Sequence, residues 1–267
     1  MKPTIRLWLT IPIAILLTIA IGSELLIGGL LRGEPYFVSQ AIGQDIVSLG
    51  AALPALVVGA ILASRGSERA RLVWLGVLTY LVYTYIIYAF HVRFNPLFLV
   101  YVALLGCSLY ALIGGLATTD FAHIKSRSSG KAPLRAVGIF LAVVVVLFYF
   151  SWLGEVAPAL ISGEVPQSVV DNGTPTNGVH VLDMAWILPA AALTAIWLWQ
   201  KRALAYTLAG ALLTFFSLLG LAITAMMISI SIYAQPVAPF MAAVFGVVAA
   251  VSLCLTVWYL KGLKNNS

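Results

Sequence analysis

A chain of 267 residues that is 62% hydrophobic and 9% charged, with a mean hydropathy of +1.04, excludes a water-soluble globular domain. In such domains about a quarter of residues carry charge. The net charge of +6 does not imply a nucleic-acid partner, because the basic residues sit in short segments between apolar runs, where membrane topology accounts for them.

Apolar runs of about 20 residues cross a bilayer core. On that rule the sequence predicts eight transmembrane helices, over 7–31, 46–64, 72–91, 97–118, 136–161, 184–200, 203–233 and 237–260. The class is all-α and polytopic, with residues 1–267 forming a single transmembrane domain. The first run follows Lys2 and Arg6, as a signal peptide would. It exceeds the h-region length of about 7–15 residues and lacks an A-x-A-like site, so an uncleaved first helix is expected. The connector 32–44 is mildly amphipathic and reads as an interfacial segment anchored by Tyr36 and Phe37. The inner connector 125–135 reads as a flexible basic loop, with contact to anionic lipid as the alternative. Residues 162–182 are rich in turn formers and predict an ordered loop or lid, turning at Asn172-Gly173 and Asn177-Gly178. The sixth run is short, and the seventh is long enough to tilt. Cys107 and Cys254 fall inside apolar runs, where a disulfide framework is excluded and small core residues are expected.

Charge sets the orientation. With the N-terminus inside, thirteen of the fifteen Lys and Arg residues fall on the cytoplasmic side, leaving Arg32 and Arg93 outside. Both termini are then cytoplasmic. Seven acidic residues lean outward: Glu24, Glu34, Asp45, Glu155, Glu164, Asp171 and Asp183.

The order of polar residues in 23–54 returns in 151–189. Glu24 matches Glu155, Gly33-Glu34 matches Gly163-Glu164, Asp45 matches Asp183, and Leu53-Pro54 matches Leu188-Pro189. The Asp-to-Pro spacings differ by three residues, so the match needs a gap. It predicts a 4+4 parallel internal repeat, with halves 1–124 and 136–267 joined by the basic loop 125–135, about an axis along the membrane normal.

Several residues in this frame could carry chemistry. Glu24 and Glu155 lie within apolar runs, where a carboxylate costs several kcal/mol unless protonated, paired or facing water. They are candidate proton- or cation-linked groups, against a packing role in which each bonds a neighbouring helix. Asp45 and Asp183 stand before apolar helices, where capping competes with a place on a cavity rim. His180 and Asp183, at i and i+3, share a helical face and with Glu155 and His91 could form a mixed N/O metal site, although structural hydrogen bonding is the plainer reading. His91 and His180 as axial haem ligands form a further alternative. Tyr80, Thr84, Tyr88 and His91 recur at near-helical spacing and end at Arg93, a face able to line a polar cavity or to form an aromatic belt with core tyrosines, core being the reading for Tyr80 and Tyr83.

The segments QDIVSLGAALPAL (44–56), FNPLFLVYVALLGCSLYAL (94–112) and PTNGVHVLDMAWILPA (175–190) resemble a family of uncharacterised bacterial integral membrane proteins with a pattern close to PTNPVHVLDLAFxLPA. Gly178 replaces the pattern's proline, a departure expected to loosen the turn without touching a charged group. The resemblance implies a multi-pass protein of the bacterial inner (cytoplasmic) membrane and no particular activity.

The expected function is therefore an extracytoplasmic-facing polar cavity, lined by Glu24, Glu155, Asp45, Asp183, His91, Arg93 and His180, that binds or transports a cation or small polar solute. Two alternatives stand beside it: a membrane enzyme with an outer-face active site, and an accessory or assembly subunit held by a membrane-protein partner. The residues leave any metal or other cofactor undefined.

Overall fold

The computed structural model describes residues 8–129, 132–234 and 239–264. They form helices α1 (Thr10–Ile27), α2 (Pro35–Ser64), α3 (Glu68–His91), α4 (Phe98–Ala117), a short α5 (Phe121–Arg127), and α6 (Leu134–Ser162). A short α7 (Gln167–Asn172), α8 (Gly178–Trp199), α9 (Ala203–Tyr233) and α10 (Pro239–Lys261) follow. Seven of these, α2, α3, α4, α6, α8, α9 and α10, are long and apolar enough to cross a membrane; α1 is a shorter apolar helix. The chain is a multi-pass helical membrane protein with seven candidate spans among the described residues, where run length predicts eight.

The bundle is built around α3 and α9, its two most enclosed spans. Small residues let these helices approach closely, as packing between membrane helices favours. A Cβ on Gly76 of α3 would lie 2.5 Å from the Ala211 carbonyl oxygen of α9, and one on Gly43 of α2 would lie 2.5 Å from the Met226 nitrogen of α9. Trp74 of α3 donates its indole hydrogen to Thr10 of α1 at 2.9 Å. The outward faces carry exposed Ile11, Ile15, Val102, Val143, Val146 and Phe150, a surface suited to lipid chains. Cys254 is exposed on that surface rather than in the core, while Cys107 is partly buried.

Two boundaries differ from the sequence reading. Helix α2 starts at Pro35, a residue favoured in a first helical turn because its missing N–H is unneeded there. The stretch 32–44 is therefore largely transmembrane helix, with Ser39, Ala41, Gly43 and Gln44 buried; its polar face meets protein, not the interface. Helix α8 starts at Gly178, so the sixth run is a 22-residue span. Asp120 caps α5 by accepting from the His123 amide at 2.9 Å, and α5 takes in 125–127, so the first three residues of the connector 125–135 are helical; residues 130 and 131 of that connector lie outside the described residues.

Both α2 and α8 widen into a π turn just before Leu-Pro, at Ser48–Ala52 and Asp183–Ile187. Proline has no N–H and its ring excludes the carbonyl four residues back. The preceding leucine instead reaches one residue further: Leu53 N–H bonds the Ser48 carbonyl, and Leu188 N–H bonds the Asp183 carbonyl. Relative to Leu-Pro, this shared geometry puts Ser48, not Asp45, at the place of Asp183, so the expected match of the two aspartates does not hold.

Contacts sort the helix ends into two sides. On one, Arg69 bonds the Leu263 and Lys261 carbonyls and Arg127 bonds the Lys264 carbonyl. On the other, Arg93 pairs with Glu34 and Gln40 bonds Asn172. One side is basic; the other gathers the carboxylates and histidines of the candidate site.

Candidate functional site

One polar cluster joins α2 to α3. Gln44 donates to Thr84 at 2.6 Å, Ser48 and Tyr80 share a hydroxyl bond of 2.9 Å, and Tyr88 donates to Asp45 at 2.9 Å. The Tyr80–Thr84–Tyr88 face is thus a buried ladder of bonds to α2, the core reading of these tyrosines rather than an interfacial belt. Glu24, at the end of α1, lies within electrostatic range of Asp45. Its carboxylate accepts from the Leu31 amide at 2.9 Å, closing the turn made by Gly28 and Gly29, both at positive φ.

A second cluster joins α6, α8 and α3. Asp183 accepts from the Tyr83 hydroxyl at 3.0 Å and from the Trp152 indole at 2.9 Å. The Trp152 ring packs on His180 with centroids 4.5 Å apart. His180 Nε2 lies 3.5 Å from a Glu155 oxygen and 3.3 Å from the Asn177 amide nitrogen. One ring nitrogen can donate to the carboxylate or accept from the amide, not both, so a proton decides which contact holds.

The other Glu155 oxygen accepts from the Ser168 amide at 3.0 Å. With Asn177 bonded to Ser168 Oγ at 2.9 Å and Gln40 to Asn172 at 2.9 Å, this pins α7 over the cluster. Both glutamates therefore hold main-chain amides of the segment that follows their helix.

Neither aspartate is a cap. Asn177 caps α8 by accepting from the Val179 and His180 amides, and Asp45 lies inside α2. The predicted turns appear as a left-handed Gly173 that ends α7 and as the Asn177 cap that starts α8. Gly178 does touch a titratable group: a Cβ there would stand 2.4 Å from His91 Cε1. His91 Nδ1 is buried without a hydrogen-bond partner among the described residues.

The seven candidate residues thus fall into three places. Glu155, His180 and Asp183 converge, with His91 against the start of the same helix; Glu24 and Asp45 form a second group; Arg93 pairs with Glu34 at 3.0 Å on the exposed rim. A cavity of about 20 Å³ reaches Asp183 between Phe148, Ile187, Phe216 and Phe245, room for about one water. Among the described residues no three His, Cys, Asp or Glu side chains are grouped to hold a metal ion.

Sequence reasoning missed Tyr83, Trp152, Gln44 and Ser48. Trp152 had a local signal, three residues before Glu155 on one helical face. Gln44 and Ser48 flank Asp45 in an otherwise apolar stretch. Tyr83 had none, since its partner is 100 positions away. No family model, curated protein or solved structure matches this chain.

Proposed function

We propose that this chain is an eight-helix protein of a bacterial inner membrane, with both termini cytoplasmic and two four-helix halves, that binds or transports a small cation or polar solute from the extracytoplasmic side. The two π turns before Leu-Pro support the paired halves, and the basic residues gathered at one set of helix ends support the orientation.

The observation that carries the reading is the state of two aspartates. Asp45 and Asp183 are only 4% and 5% exposed, and their bonds come from neutral groups: tyrosine hydroxyls and one indole. No Lys, Arg or His pairs with either among the described residues. A lone negative charge at membrane depth costs several kcal/mol, so a proton or a small cation must compensate it. Exchange of that ion is the proposed coupling step. Glu24 lies beside the first aspartate and His180 with Glu155 beside the second, while His91 and Arg93 stand toward the rim.

The test is thermal unfolding of the detergent-purified chain against a panel of monovalent and divalent cations and pH values. It is repeated on Asp45→Asn with Asp183→Asn and on Glu24→Gln with Glu155→Gln. A cation-dependent rise in Tm that disappears in the aspartate variant is expected. An undiminished rise in that variant overturns the reading. The enzyme alternative has weaker support: Ser168 Oγ accepts from Asn177, and no hydroxyl is bonded to His180 among the described residues. The subunit alternative predicts stable co-purification with a second membrane protein.

A further inference from the structure

The basic side of the bundle has a feature unrelated to the aspartates. We infer that a cavity between the α2–α3 turn and the chain after α10 is a binding site for a phosphate-bearing anion. It has a volume of about 290 Å³ and is lined by residues 65–69, Arg127 and Lys264. Four cationic side chains, Arg65, Arg69, Arg127 and Lys264, face one carboxylate, Glu68, which is turned to Arg71 at 3.3 Å. Among the described residues the cavity therefore carries more positive than negative charge.

Two of the cations are held in place by the protein. Arg69 donates through Nε and one terminal nitrogen to the Leu263 carbonyl, and Arg127 Nε donates to the Lys264 carbonyl at 3.1 Å. Arg69 also reaches the Lys261 carbonyl at 3.4 Å, which leaves its other terminal nitrogen open, and both terminal nitrogens of Arg127 and the side chains of Arg65 and Lys264 have no partner among the described residues. A guanidinium anchored on one edge presents its other edge as a fork, the geometry that suits phosphate oxygens.

The amino end of α3 adds a second, independent contribution. Ser67 Oγ accepts from the Ala70 amide, while the Glu68 and Arg69 amides have no partner among the described residues. These open N–H groups begin a 24-residue helix, where the dipole favours an anion. The site lies at the ends of the candidate spans α2, α3 and α10, level with where lipid phosphates would be. A lipid headgroup and a soluble phosphate compound share the recognised chemistry.

The experiment uses the full chain, delipidated in a neutral detergent, at fixed ionic strength. One arm titrates inorganic pyrophosphate, with sulfate as the anion control. The other places the chain in nanodiscs and compares phosphatidylglycerol with phosphatidylcholine as competitors for binding in native mass spectra. Arg65→Gln with Lys264→Gln tests the cavity, both side chains being exposed and unbonded. Lys201→Gln with Arg202→Gln removes as much charge outside the cavity.

Binding in at least one arm should weaken about fivefold per charge removed, hence about 25-fold for the cavity pair, and stay unchanged in the control pair. The arm that responds names the source of the phosphate. Equal losses in both variants, sulfate matching pyrophosphate in the absence of a lipid response, or no binding in either arm each overturn the site.

Discussion

Tyr83 and Asp183 lie 100 positions apart in the chain, and the Tyr83 hydroxyl donates to the Asp183 carboxylate at 3.0 Å. The bond fixes α8 to the enclosed helix α3 at the turn where α8 widens. Removing it leaves Trp152 as the aspartate's remaining bonded donor. Tyr83→Phe should therefore lower stability by about 1 kcal/mol, the scale of a bond between membrane helices. Asp183→Asn should cost at least as much, because an amide offers one acceptor oxygen to two donors. The double variant should fall short of the sum, since the two changes remove the same bond. Thermal unfolding in detergent measures all three. Strict additivity would mean that the hydroxyl and the carboxylate do not act on each other.

Gly178 and His91 form a steric pair. The glycine occupies the first turn of α8, where proline is favoured, which agrees with the proline in the pattern this segment resembles. Here the His91 ring fills the space that a Cβ would need, at 2.4 Å. Gly178→Ala should destabilise the chain by about 1–3 kcal/mol, as overpacking does. Adding His91→Ala should recover most of that loss. If the second change gives no recovery in Tm, the contact is not what limits residue 178.

The helices were legible because membrane-length apolar runs and alternating basic segments are local, redundant signals. The start of α2 was not, because Ser39, Gln40 and Gln44 read as loop or interface residues when their protein partners are unknown. Those partners are supplied by other helices: Thr84 bonds Gln44, and α9 covers Gly43. Individual ionisable residues of the candidate site stood out for the same reason that makes them costly, a charge within an apolar run. Their grouping did not, since it depends on Tyr83 and Trp152, whose aromatic rings look like ordinary core. The basic cavity was invisible because its cations come from three separate segments.

Glu24 separates a turn-closing role from an ion-binding one. The residue is 8% exposed, and its carboxylate accepts from the Leu31 amide at 2.9 Å. A glutamine keeps an acceptor of the same reach and an alanine does not. Glu24→Gln should change stability by less than about 0.5 kcal/mol, while Glu24→Ala should cost about 1–3 kcal/mol for an amide left unsatisfied. Unfolding curves of the two variants provide the comparison. Equal losses from both would show that the negative charge, and not the acceptor, is what the site requires.

Glu155 makes the same kind of bond across a longer stretch, and here the consequence is access. One oxygen holds the Ser168 amide and the other faces His180, so α7 is tied to α6 directly above the Asp183 cluster. Glu155→Ala should release that tie and raise hydrogen exchange across 163–177 by about tenfold, corresponding to about 1.4 kcal/mol of lost local stability. Glu155→Gln should preserve most of the protection, because its oxygen still accepts from Ser168, but should remove the ionic part of the His180 contact. Exchange followed by mass spectrometry resolves the segment from the helices that flank it. If protection in 163–177 is the same in the alanine variant as in the parent chain, the tie does not hold α7 down. Its other anchors, Gln40 on Asn172 and Asn177 on Ser168, then suffice to close the segment over the site.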